Sequence, residues 1–208
     1  MPVTATVLHV AAGNGYGGIE RMLVAFAGTP HPRMRQHFVV AFGGRLEREL
    51  QEAGASVYRL PSPRASRPLM IWRARREFAA ILARLAPDAV IFHGAWPHAM
   101  FAAASTAQGV RVGFWQHQPI ARPAWPDRWA RRVRPDFAVF NSAFTQMRPA
   151  FPDVPGTVIH CPVAATVDVD LGDRLRRRAA LGVADSDVVV LMAARLERWK
   201  GHEVLLHA

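Results

Sequence analysis

The chain has 208 residues, 50% of them hydrophobic and 20% charged, enough apolar material for a full core and too much for a disordered chain. Lys and Arg number 26 against 16 Asp and Glu, and the resulting charge of +10 suggests an anionic partner such as nucleic acid, phosphate groups or an acidic lipid surface. A single cysteine, Cys161, excludes an internal disulfide and a multi-cysteine metal site, and with no basic leader and no apolar run near the roughly 20 residues of a membrane span, a cytoplasmic location is expected.

Short β-branched or apolar runs alternate with stretches of helical period, the pattern of parallel strands joined by crossover helices. The strands are expected at Thr6 to Ala11, His37 to Phe42, Ser56 to Leu60, Ala89 to His93, Val110 to Trp115, Phe137 to Asn141, Thr157 to His160 and Val188 to Ala193. Ile19, Met22, Leu23 and Phe26 recur at helical spacing after the first strand, as do Ile71, Phe78, Leu82 and Leu85 after the third. Further helices are expected over Leu46 to Ala53, Pro97 to Gln108, Pro126 to Val133, Ala143 to Ala150 and Asp173 to Leu181, with Gly54, Gly109 and Gly182 as stop signals. The result is an α/β, doubly wound Rossmann-like parallel sheet, in which ligands bind beyond the carboxyl ends of the strands. That rule selects the loops Gly13 to Gly18, His93 to His98, Trp115 to Pro119 and Arg195 to Gly201.

Gly13, Gly15 and Gly18 satisfy the G-x-G-x-x-G spacing of a dinucleotide-binding turn, where glycines admit a diphosphate and the free N–H groups of a helix start receive it. The acid such a fingerprint needs at the end of the second strand is missing: Arg45 follows Gly43 and Gly44, which leaves an NADP variant open beside a plain strand-to-helix turn. At the other end of the chain, a buried strand is followed by Arg195 and by Lys200, the chain's one lysine, before a new helix starts. A guanidinium fork and an ammonium charge at that point suit a diphosphate, against the alternative of a solvated loop.

Gly17-Gly18-Ile19-Glu20-Arg21, Phe140-Asn141-Ser142-Ala143-Phe144-Thr145, and Ala194-Arg195-Leu196 to Lys200-Gly201-His202 resemble glycosyltransferase family 4, of GT-B fold, in order and spacing. The resemblance implies an N-terminal, acceptor-side domain over residues 1–163. Residues 164–208 would hold the hinge and the first helix-strand-helix portion of a donor-binding domain. It implies a retaining transfer of a hexose-type sugar from a nucleotide-sugar donor to a glycan, lipid-linked or small-molecule acceptor, with no metal or other cofactor and no nucleic-acid partner. By motif position Gly17, Gly18, Arg195 and Lys200 would bind the donor diphosphate. His117, Arg195 and Lys200 would be the catalytic set, and Glu20, His93, Trp96 and Asn141 the acceptor-side candidates.

Two departures stand out. Cys161-Pro162-Val163-Ala164 replaces the family's usual Asn-Gly-Val-Asp or Asn-Pro-Val-Asp at the hinge, and the chain stops at Ala208, before the family's pair of glutamates. The expectation is therefore a fragment without turnover of its own. Competing readings are an NADP-binding oxidoreductase and a non-catalytic ligand-binding module. His93, His98 and His117 lack a carboxylate or cysteine at ligand spacing and so make no metal set. Trp125 and Trp129, four apart among Arg128, Arg131, Arg132 and Arg134, suit either a helix packed with its tryptophans inward or one at the anionic inner face of the cell membrane.

Overall fold

The computed structural model describes residues 5–64, 66–120, 122–162 and 170–208. The chain divides into two compact units, Met1–Pro162 and Val163–Ala208. In the first unit strands and helices alternate: β1 (Ala5–Ala11), α1 (Gly18–Gly28), β2 (Met34–Val40), α2 (Arg45–Glu52), β3 (Ser56–Arg59), α3 (Pro68–Leu85), β4 (Ala89–His93), α4 (Ala95–Ala107), β5 (Arg111–Gln116), α5 (Trp125–Ala130), β6 (Phe137–Phe140), α6 (Ala143–Gln146) and β7 (Gly156–Val158). All ladders are parallel, in the order β3-β2-β1-β4-β5-β6-β7. The order reverses between β1 and β4, which opens a crevice outside their carboxyl ends.

The alternation of side chains along each strand sorts the core into two faces. Leu8, Val10, Val39, Phe92 and Val112 pack against Phe78, Ile81 and Leu82 of α3 and Met100 and Phe101 of α4. On the other face Ala11, Phe38, Val40, Trp115 and Val139 meet Met22 and Leu23 of α1 and Leu46 and Leu50 of α2. With both faces covered, the strands need no polar alternation, which is why they read as continuous apolar runs. Asp88 and Asp136, just ahead of β4 and β6, accept the backbone N–H of Thr6 and Val112 at 2.7 Å each and fix the entry of neighbouring strands. A register that pairs Ala5 with Met34 starts β2 three residues before the expected His37.

Gly54, Gly109 and Gly182, each two residues beyond the end of its helix, have φ of 77°, 70° and 69°, the left-handed conformation that stops a helix. The second unit contains α7 (Leu171–Ala180), a single 3-10 turn (Arg198–Lys200) and α8 (His202–Leu206). The strand expected over Val188–Ala193 is not formed: these residues join no ladder, and Val188 and Leu191 are 90% and 86% exposed. A strand is held by its ladder partners, and the second unit offers this segment none among its described residues. The helix-strand-helix portion expected here is thus two helices joined by an irregular stretch. The hinge residues Val163 and Ala164 lie outside the described residues.

Candidate functional site

The turn between β1 and α1 must be built around glycine. Gly13 has φ of 82°, and a Cβ there would stand 2.8 Å from the Phe42 carbonyl oxygen, so both its backbone and its surroundings exclude a side chain. The Gly17 N–H donates to Glu20 Oε2 at 2.8 Å. Glu20, expected on the acceptor side, here satisfies one of the unpaired donors at the start of α1, and the Gly17 amide expected to face a diphosphate is engaged by it. Gly18 is exposed, with open space where a Cβ would stand. Tyr16 ties the turn to α2: its hydroxyl donates to Glu49, and the Arg45 guanidinium lies 3.8 Å from its ring centroid while bonding Glu49 at 2.7 Å. Burial and the Glu49 partner push the Tyr16 phenol up, and the Tyr16 and Arg45 bonds hold the Glu49 carboxyl down. Arg45, the residue left open for a ribose phosphate, is thereby engaged within the fold.

Across the crevice three histidines stand in line. His9 Nδ1 lies 3.0 Å from His93 Nε2, and His93 Nδ1 lies 3.1 Å from His117 Nε2. His9 comes from β1, His93 ends β4, and His117 follows β5; parallel pairing of β1 with β4 and β4 with β5 brings them together. Aromatic rings clamp the row: Phe38 stacks on His9 at 5.3 Å, and Trp115 stacks on His93 at 5.3 Å and on His117 at 5.9 Å. Burial lowers His9 and His117 to about 4, and burial with the neighbouring imidazoles takes His93 well below its usual value. All three rings are therefore neutral at physiological pH. His98, expected nearby, points elsewhere: it is buried among Phe92, Phe114 and Phe151. Among the described residues no group of His, Cys, Asp or Glu side chains is arranged to hold a metal ion.

The loop carrying His117 is fastened from below. Asn141 Nδ2 donates to the His117 carbonyl at 2.8 Å, and Asn141 Oδ1 accepts from the Thr145 hydroxyl at 2.6 Å. The Asn-Ser-Ala-Phe-Thr motif after β6 thus positions His117. Gln116 is 3% exposed and spends its whole amide on backbone, donating to the Gln118 and Arg148 carbonyls and accepting from the Ala150 N–H. A cavity of about 340 Å³ opens here, lined by Trp96, His117, Gln116, Gln118, Ile19 and Ile120 among others. A cavity of about 420 Å³ lies at the opposite end of the sheet, around Phe26, Met34 and Ser56, away from the carboxyl ends where doubly wound folds bind ligands. Of the expected residues, the first unit brings His93, Trp96, Asn141 and His117 to one end of the sheet. Neither His9 nor Gln116 stands in a motif that marks it as a site residue; a histidine inside an apolar strand is the signal that the sequence offers.

In the second unit Arg195 lies ahead of the 3-10 turn and Lys200 is its last residue, capped by Gly201, whose φ is 81°. Arg195 pairs with Glu197 at 3.0 Å and is largely exposed.

The fold is that of the Rossmann-like domains of GT-B glycosyltransferases. The family model described as Glycosyltransferase Family 4 matches residues 16–165, and the chain belongs to that family. Similar solved structures include a glycosyltransferase from Rickettsia africae (18% identity, TM-score 0.76, covering 98% of this chain and 56% of that one). HepE from Anabaena, solved in complex with UDP-glucose, shares 19% identity at a TM-score of 0.73, over 97% of this chain and 56% of its own. MurG from Acinetobacter baumannii shares 19% identity at a TM-score of 0.58, over 79% of this chain and 47% of its own. The chain spans about half the length of these proteins. No curated protein matches.

Proposed function

We propose that this chain forms the acceptor-side domain and the beginning of the donor-binding domain of a retaining, nucleotide-sugar-dependent glycosyltransferase. The observation that carries the reading is His117: a neutral imidazole, held through its ring by His93 and through its backbone by Asn141, at a cavity outside the carboxyl ends of β4 and β5. A neutral imidazole suits contact with sugar hydroxyls, and its low pKa unfits it to be a standing cation. The UDP-glucose bound by HepE supports a nucleotide sugar as donor. Arg195 and Lys200 then stabilise negative charge on the departing diphosphate, a role that needs no metal. The acceptor is a glycan, a lipid-linked sugar or a small hydroxylated molecule.

The same reading takes α5 to an anionic membrane surface. Trp125 and Trp129 are 45% and 42% exposed and meet edge to face at 5.5 Å, and the Arg132 guanidinium lies 5.2 Å from the Trp129 ring centroid. The tryptophans are thus not buried against the sheet. No helix among the described residues is long and apolar enough to cross a membrane. Co-sedimentation with vesicles should require anionic lipid and fall when Arg131 and Arg132 are replaced by Glu; binding indifferent to lipid charge would refute this part.

The activity is tested by nucleotide release from UDP-, GDP- and ADP-sugars with candidate acceptors, using the chain alone and the chain fused to the remaining half of a related enzyme. Release by the fusion that is lost in His117→Ala supports the reading. Release unaffected by that change would overturn the assignment of His117, and hydride transfer to or from NADP would overturn the class.

A further inference from the structure

Helices α3, α4 and α5 form one layer on one face of the sheet. Val112 of β5 packs with α3 and α4, and Phe114, two residues on and so on the same face, packs with Ala130 of α5. α4 lies between the other two helices and touches both. A crossover helix runs back against its parallel strands, so the first turns of α3 and α5 both stand at the carboxyl end of the sheet, where His117 is. Charge is divided between the layers. On the other face α1 and α2 interleave Glu20, Glu47, Glu49 and Glu52 with their arginines, whereas α4 has no Asp, Glu, Lys or Arg. The stretch Arg64 to Arg76 holds Arg64, Arg67, Arg73, Arg75 and Arg76 and no acid.

Leu69, Trp72, Arg73 and Arg76 fall on one side of α3, opposite Ala74, Phe78, Ile81 and Leu82, which enter the core. Leu69 and Trp72 are 59% and 55% exposed. The Arg76 guanidinium lies 5.6 Å from the Trp72 ring centroid, and neither Arg73 nor Arg76 forms an ion pair among the described residues. α3 has no acid in its first turn and has Arg67 at its N-cap, where the helix macrodipole opposes a cation. An anionic surface offsets both the dipole and the mutual repulsion of these arginines.

We infer that the outer side of α3 is a second membrane contact, so that the layer of α3, α4 and α5 faces an anionic bilayer and is held at both flanks. Trp72 sits at headgroup level, Leu69 enters the acyl boundary, and Arg73 and Arg76 meet lipid phosphates. A soluble polyanion would use the arginines but has no use for an outward leucine. One weak anchor gives reversible binding and leaves the domain free to turn about it; two, on either side of α4, fix its tilt and keep the carboxyl end of the sheet at the bilayer. The inference extends the reading of α5 given above and rests on it for the other flank.

The test is co-sedimentation of the 208-residue chain with phosphatidylcholine vesicles, plain or containing about one third phosphatidylglycerol. Leu69→Ser with Trp72→Ser, and Arg73→Glu with Arg76→Glu, should each weaken binding to the anionic vesicles by roughly tenfold or more. Arg33→Glu with Arg48→Glu changes net charge as much as the second pair but lies outside this layer, and should leave binding within about twofold. All six side chains are exposed, and circular dichroism reports whether the fold is kept. Undiminished binding of the two α3 variants would overturn the inference, and a loss confined to Trp125→Ser with Trp129→Ser would leave the reading of α5 standing without it. Loss in the α3 variants with none in that α5 pair would refute the reading of α5 and uphold the contact at α3. An equal loss in the Arg33 and Arg48 pair would overturn the inference, as would retention of the unaltered chain on immobilised nucleic acid but not on anionic vesicles.

Discussion

Of the four buried imidazoles that acid would protonate, a substitution can isolate His98. Its ring is 1% exposed, its centroid lies 5.4 Å from those of Phe92, Phe114 and Phe151, and neither nitrogen has a partner among the described residues. Burial lowers its pKa from 6.5 to about 4. In the unfolded chain the group titrates near its ordinary value of about 6.5, so between these two values the unfolded state binds more protons. The sign follows: the contribution to stability is full above the unfolded pKa and is lost as pH falls towards the folded one. Fully developed, the loss is about 3 kcal/mol, and it has reached about 2 kcal/mol by roughly pH 4.5. His98→Leu removes the titration while keeping an apolar side chain among the three phenylalanines. Urea unfolding followed by tryptophan fluorescence, at about pH 7 and about pH 4.5, should show the unaltered chain losing about 2 kcal/mol more than the variant. At neutral pH the variant should be no less stable, since two unpaired ring nitrogens are no longer buried. Equal acid losses in the two proteins would refute the assignment of His98 as neutral and desolvated.

Gly13→Ala should cost about 1–3 kcal/mol of stability, because the left-handed backbone and the Phe42 carbonyl both oppose a Cβ; an unchanged urea midpoint would contradict the geometry of the turn. Gln116→Leu strands the Ala150 N–H in a buried setting, at about 1–3 kcal/mol, and frees the carbonyls of the exposed residues Gln118 and Arg148. Hydrogen exchange at Ala150 should quicken accordingly. In a catalytically competent fusion, Arg195→Ala and Lys200→Ala should each raise the barrier by about 2–4 kcal/mol, seen in kcat more than in KM. Normal turnover in both would remove these cations from the mechanism.

The strand and helix order of the first unit was legible in the sequence because it is written in local periods: Ile19, Met22, Leu23 and Phe26 mark a helix face, and the apolar run Ala89 to His93 marks a strand buried on both sides. The family, too, was legible, since its motifs are short and keep their order. The same local reading failed at Val188–Ala193, whose β-branched run states a preference for a ladder without supplying a partner. The role of Glu20 was equally hidden, because a carboxylate three residues into a helix serves a ligand or its own helix start according to where the chain turns. The histidine row was decided by tertiary structure alone. His9 and His93 are 84 residues apart, and His93 and His117 are 24 apart; only the register of β1 on β4 and of β4 on β5 sets their nitrogens at bonding distance. Sequence carries the period of each element, while pairing between elements is fixed by how their buried faces fit together, and the chemistry of His117 depends on that fit.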